Sequence, residues 1–112
     1  MIPKKLRIKT QKLKEIFKQG KKKSFPELSI YYQNNVYSYP RISVVVPKKL
    51  HKKAVFRNKI KRRLKHILRD LIKERKIKPR DYVFVVKSIK LKEEKFAKLK
   101  EKIEKYINEI PN

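Results

Sequence analysis

Cysteine is absent, glycine occurs once, and acidic side chains number only 10 in 112 residues. Each shortage excludes a class of protein. Without cysteine there is no disulfide, no thiol nucleophile and no thiolate zinc site. A single glycine, Gly20, leaves nothing that resembles a flexible linker. No stretch reaches the roughly 18 apolar residues that a membrane-spanning helix needs, and residues 1–14 lack the apolar centre of a signal sequence. The reading is a cytoplasmic protein with no membrane partner.

The shortage of acids has the largest consequence. Against 10 acids stand 35 lysines and arginines, a formal net charge of +25. A polyanion is the partner such a charge selects, and nucleic acid is the commonest polyanion bound by a folded basic domain. Hydrophobic residues make up 39% of the chain, enough for one modest core, so residues 1–112 read as a single domain. No internal repeat is visible.

The charge is concentrated in Lys48 to Arg69, KKLHKKAVFRNKIKRRLKHILR. The spacing predicts a helix from about Lys52 to Glu74, bounded by Pro47 before it and by Lys78-Pro79 after it. Phe56, Ile60, Leu64, Ile67, Leu68 and Leu71 fall on one arc and predict the side that docks on a core. Asn58, Lys61, Arg62, Lys65 and Arg69 form a strip on the far side, with Arg57 at its border, while Lys59, Arg63 and His66 form a second strip. No acid occurs between Glu27 and Asp70. Like charges one turn apart cost an isolated helix roughly a few tenths of a kcal/mol per pair, a repulsion that an anionic ligand relieves. A merely solvated face is the plain alternative, and it suits a mixed lysine and glutamate helix better than this arginine-rich one.

Around that helix the chain reads as follows. Residues 1–9 form an extended basic arm that awaits an anion for its order. Thr10 serves as N-cap of a short helix, roughly Gln11 to Gln19, that Gly20 ends. Lys21 to Phe25 is a short strand. Glu27 to Gln33 alternates, with Leu28, Ile30 and Tyr32 on one face and Ser29, Tyr31 and Gln33 on the other. Arg41 to Val46 is β-branched, and the two strands read as antiparallel neighbours joined by the loop from Asn34 to Tyr39. Asp81 to Lys87 is an interior strand, and Lys92 to Glu109 a closing helix whose Phe96, Leu99, Ile103, Tyr106 and Ile110 repeat at helical spacing. The result is an α+β fold of order α-β-β-β-α-β-α, three helices against a small, mostly antiparallel sheet. If the strands flanking the basic helix are parallel, the default hand of that crossover is right-handed.

Ala54-Val55-Phe56-Arg57-Asn58-Lys59-Ile60-Lys61-Arg62 resembles the signature of the bacterial ribonuclease P protein family, Arg-Asn-x-x-Lys-Arg on a helix after a strand ending in Lys-Lys. The similarity extends to Leu13–Gly20 as the opening helix, Leu28–Tyr31 and Arg41–Lys49 as strands, and Asp81–Val86 as the strand after the motif. Leu13 stands where the family often has an aromatic, Ser43 where it has glycine, and Pro47 where it has serine. The resemblance implies a ribosomal protein S5 domain 2-like sandwich with an unusual β-α-β crossover, left-handed against the default. It also implies a subunit that binds a large catalytic RNA and helps it remove the 5′ leader of precursor tRNA. In that family the RNA and its Mg²⁺ ions perform the hydrolysis, and no obligate protein partner is evident in this sequence.

Site residues follow as expectations. Lys53, Arg57, Lys61, Arg62, Lys65 and Arg69 would contact phosphates of the catalytic RNA, with Asn58 reaching backbone or base edges. The leader would lie between the first helix and the outward face of the sheet, on Phe17 and Tyr31 with Leu13 as a weaker platform, and Arg7, Lys12 and Arg41 supplying charge. Core packing is the alternative reading of Phe17 and, with less weight, of Tyr31. A protein nuclease needs gathered carboxylates or a histidine acid–base pair. Most of the acids fall between Asp70 and Glu109 at spacings typical of helix-surface pairs, and His51 and His66 stand beside lysines, so both read as surface residues. The other readings are a ribosomal or other ribonucleoprotein RNA-binding protein, and a nuclease acting without RNA.

Overall fold

Alternating and β-branched runs form four strands and amphipathic runs form three helices, described for residues 3–111 in a computed structural model. The order is α1 (Thr10–Gln19), β1 (Lys21–Ser24), β2 (Leu28–Asn34), β3 (Arg41–Val45), α2 (Ala54–Lys73), β4 (Arg80–Val86) and α3 (Phe96–Asn108). Short 3₁₀ turns occupy Lys4–Leu6, Lys48–Leu50 and Ile89–Lys92, and α3 begins at Phe96, four residues after the expected Lys92.

The sheet runs β1-β2-β4-β3, antiparallel except for the parallel pair β3 and β4. This corrects the expectation that β2 and β3 are neighbours. The loop after β2 carries the chain past an open lane, and β4, an almost wholly buried strand, fills it. An interior place suits its uninterrupted Tyr82–Val86 apolar run.

One face of the sheet, with Leu28, Ile30, Tyr32, Ile42, Val44, Tyr82, Phe84 and Val86, joins α2 and α3 in the main core. Ile60, Leu64, Ile67, Leu68 and Leu71 of α2 are buried there, as are Leu99, Ile103 and Ile107 of α3. Truncating any of these fully buried leucines to alanine costs about 2–5 kcal/mol. Phe56 and Phe96 stay at the margins: Phe56 packs on His51 with ring centroids 4.5 Å apart, and Phe96 on His66 at 5.0 Å.

The opposite face is only partly covered. Ile16 of α1 and Ile8 close on Val83, with Leu13, Tyr31, Val45 and Val85 around them. The N-terminal arm is held to the domain at two points: Leu6 and Ile8 are buried while Pro3 to Lys5 stay exposed, and the Ile8 amide donates to the Ile42 carbonyl at 3.2 Å. Met1 and Ile2 lie outside the described residues. Thr10 is the first helical residue and not a cap, since Lys9 holds the N-cap position with no side-chain hydrogen bond. Gly20 ends α1 as expected, but for a different reason. Its φ of −74° is ordinary, while a Cβ there would sit 2.5 Å from the Ile16 carbonyl oxygen.

Candidate nucleic-acid interface

On α2 the helical pitch divides the cations by job. Asn58, Arg62 and Lys65 are exposed, and with Val55 and Lys61 they line a shallow recess of about 420 Å³. Among the described residues none of these polar side chains has a hydrogen-bond or ion-pair partner. Lys53, also exposed, precedes the first turn. Their charges are therefore available to an anion at no cost in broken protein contacts. Arg69 is half-buried, and its Nε is enclosed without a hydrogen-bond partner among the described residues.

Two arginines of the helix serve the protein itself. Arg57 donates from Nη1 to the carbonyls of His51 at 2.7 Å and Lys52 at 3.1 Å, fixing the segment that leads into α2. Arg63 donates to the carbonyls of Leu91, Lys92 and Glu94 and ties α2 to the turn before α3. Sequence reasoning placed Arg63 on an outer strip and missed this role. Only its position one residue beyond Arg62, about 100° around the helix, hints at it.

On the other sheet face, Phe17 and Tyr31 meet edge to face, centroids 4.9 Å apart and planes at 88°. Phe17 is 42% exposed, which weighs against the core-packing reading, and Leu13 packs beside Tyr31. Lys22, the register partner of Tyr31 on β1, holds its ammonium 5.4 Å from the Tyr31 ring centroid. Tyr31, Val83 and Ser43 lie side by side on three strands, with Val83 buried against Ile16 of α1 and the aromatic pair Phe17 and Tyr31 at its edge. Arg7 is exposed and bridges to Ile42. Lys12 pairs with Glu15, one turn along α1.

Arg41 is more committed than the sequence suggests. Its guanidinium grips Asp81 with Nε to Oδ1 at 2.8 Å and Nη2 to Oδ2 at 2.7 Å, and Asn35 Nδ2 donates to the same carboxylate at 2.9 Å. Hydrogen bonding to Asp81 holds the guanidinium protonated beyond its ordinary range, against the opposing effect of burial. Asp81, fully buried, was not anticipated as the anchor of this corner.

Catalytic groupings do not form. Among the described residues no three His, Cys, Asp or Glu side chains gather to hold a metal ion. Asp81 is taken by Arg41, and Glu27 by Lys102 and the Tyr106 hydroxyl. His66 does have a carboxylate one turn on, Asp70 at 3.7 Å, which corrects the expectation that it stands only beside lysines. His51 Nδ1 accepts from the Lys53 amide at 3.1 Å. No helix among the described residues is long and apolar enough to cross a membrane.

Residues 2–111 match the sequence model of the family described as Ribonuclease P. The chain belongs to the ribonuclease P protein family. It is 36% identical over 92 residues to the ribonuclease P protein component of Aliivibrio salmonicida (strain LFI1238), an alignment covering 80% of this chain and 77% of that one. The corresponding protein of Haemophilus influenzae (strain PittGG) is 35% identical over 92 residues, covering 80% and 76%. Among solved structures, the RNase P protein from Thermotoga maritima superposes with a TM-score of 0.82 at 27% identity, covering 95% of this chain and 98% of that one. The Staphylococcus aureus RNase P protein does so with 0.76 at 25%, covering 92% and 93%. Membership makes the chain a protein subunit of ribonuclease P, the ribonucleoprotein that processes tRNA 5′ ends, and makes the ribonuclease P RNA its partner.

Proposed function

We propose that residues 1–112 act in the cytoplasm as one RNA-binding domain with two RNA surfaces, the α2 strip for the catalytic RNA and the α1 groove for the 5′ leader of precursor tRNA. The observation that carries the reading is the acid-free α2 recess, whose Asn58, Lys61, Arg62 and Lys65 have no partners among the described residues. Arg62 offers a planar fork to phosphate, and Asn58 both donates and accepts. Lys53 and Arg69 extend the strip at its two ends, and Arg57 contributes with whatever donors its two carbonyl contacts leave over.

The α1 groove suits an unpaired strand. Phe17 and Tyr31 give sequence-tolerant stacking surfaces worth about 1–3 kcal/mol per base, Leu13 adds apolar contact, and Arg7 and Lys12 add charge near the backbone. Arg41 contributes a field more than a direct contact, because its fork is filled by Asp81. The two surfaces stand on elements packed against opposite faces of the sheet, so both RNAs can be held at once. Hydrolysis is assigned to the RNA and the Mg²⁺ it carries, as the resemblance to the family implies.

Cleavage of a precursor tRNA at low Mg²⁺, with protein alone, a matched ribonuclease P RNA alone, and both together, tests this reading. Activity restored only by the mixture, and lost when Lys61, Arg62 and Lys65 become alanine, is the expected result. Cutting by the protein alone, or no rescue by a matched RNA, overturns it.

A further inference from the structure

The loop between β2 and β3 carries the most exposed apolar side chains on the molecule that the two surfaces above leave unused. Val36 is 95% exposed and Tyr37 42%. Exposed loop tips are ordinarily mobile, yet this one is tied down. The Tyr37 amide donates to Asn35 Oδ1 at 2.9 Å, and Asn35 Nδ2 donates to the buried Asp81 at 2.9 Å. The Tyr37 ring stacks on Tyr39 with centroids 5.2 Å apart and carries the Arg41 guanidinium 4.6 Å from its centroid. Lys5 in turn sits 5.1 Å from the Tyr39 ring. An aromatic side chain has been fixed at the surface by a buried ion pair instead of being turned into the core.

Tyr37, Val36 and Arg41 form one wall of a recess of about 460 Å³, and Lys9 and Lys12 at the start of α1 form the other. The volume accommodates a nucleobase, and the half-exposed Tyr37 ring, backed by the Arg41 guanidinium, is a surface on which an unpaired base stacks. Lys9 stands where a phosphate attached to that base would need a cation, and Lys12 adds to it in competition with Glu15, which also lines the recess and pairs with Lys12. Arg41 and Asp81 lie one sheet row beyond Tyr31, Val83 and Ser43, two residues along each strand or about 7 Å, so the recess continues the groove along α1.

We infer that this recess seats a single unpaired RNA nucleotide, its base against Val36 and Tyr37 and its phosphate on Lys9 and Lys12. The inference rests on the RNA-binding reading above and extends it to a position beyond Phe17 and Tyr31. The nucleotide comes either from the precursor's leader or from an unpaired segment of the catalytic RNA, two sources of the same chemistry.

The test uses reconstituted holoenzyme with precursor tRNAs whose leaders lengthen one nucleotide at a time, and, separately, binding of the protein to the catalytic RNA without precursor. Tyr37→Ala is compared with Tyr37→Phe, which keeps the ring, with Val36→Asp, whose side chain has no packing to lose, and with Phe17→Ala. If the leader is the source, Tyr37→Ala and Val36→Asp weaken precursor binding about tenfold, only above a threshold leader length, and Tyr37→Phe restores it. If the catalytic RNA is the source, the same loss appears without precursor. Unchanged affinity in both arms, with Phe17→Ala still impaired, overturns the inference and leaves the groove standing. Unchanged affinity for all variants, Phe17→Ala included, overturns the groove as well.

Discussion

Arg41 and Asp81 are register partners across the parallel pair β3 and β4, and the guanidinium closes on the carboxylate in two contacts of 2.8 and 2.7 Å. Their side chains are 13% and 0% exposed, so this pair is desolvated, unlike the surface ion pairs of α3. Removing one partner leaves the other charge buried without compensation. Asp81→Asn should cost about 3 kcal/mol in urea denaturation, and it should release the β2–β3 loop, visible as faster amide exchange at Tyr37. Wild-type stability in the variant would mean that the pair adds nothing to the fold.

Neighbouring arginines on α2 should behave oppositely. Arg62 has no partner among the described residues, so Arg62→Ala should leave the urea midpoint unchanged while lowering the slope of log affinity for the catalytic RNA against log salt by about 0.7–1. Arg63 holds the carbonyls of Leu91, Lys92 and Glu94, so Arg63→Ala should cost about 1–3 kcal/mol of stability and leave that slope alone. An exchange of the two phenotypes would reject the division of labour along this helix.

Gly20→Ala should destabilise although its backbone angles suit any residue. The new methyl would press on the carbonyl oxygens of Ile16 and Tyr32, at 2.5 and 3.0 Å, and backbone cannot move aside cheaply. A cost of about 1–3 kcal/mol, read as a lowered urea midpoint, is the expected outcome. A neutral substitution would show that α1 shifts freely against β2.

Stability should decline at both ends of the pH scale through one contact. Burial pushes the Glu27 carboxyl up, but hydrogen bonds from Lys102 and Tyr106 outweigh it and leave the group below its ordinary 4.5. A carboxyl lowered by folding stabilises the protein above pH 4.5 and ceases to do so as pH falls through the lowered value. Tyr106 runs the other way. Burial first, then its bond to Glu27, push the hydroxyl from 10 up to about 12, so its contribution is complete below pH 10 and is lost as pH rises through about 12. Melting temperature followed across pH should fall on both limbs, with Glu27→Gln flattening the acid limb and Tyr106→Phe the alkaline one. Limbs that persist in both variants would place the pH dependence elsewhere.

Local patterns were legible in the sequence where many residues repeat one message. The apolar arc from Ile60 to Leu71 located α2 to within two residues of its start at Ala54. The alternation of Leu28, Ile30 and Tyr32 against Tyr31 separated the core face of β2 from the groove face. Pairing between strands was not legible in the same way. A short loop makes adjacent strands the default partners, and β4 displaces that default because its apolar run must be covered on both faces and both edges. The one local sign was a charge of each sign heading an apolar strand, Arg41 on β3 and Asp81 on β4. Arg62 and Arg63 look alike in sequence, and only the position of the turn before α3 makes one a ligand for carbonyls and leaves the other to RNA.

The insertion of β4 between β2 and β3 also sets the order of events during synthesis. A nascent chain that has released residues up to 79 can pair β1 with β2, but β3 has no partner strand and β2 presents a bare edge. Both wait for the same late segment. Closure of the sheet, burial of Asp81 and fixing of the Tyr37 loop therefore coincide with emergence of Arg80–Val86 from the ribosome, and until then the groove beside α1 exists only as separate pieces of chain, whereas the α2 strip is already continuous.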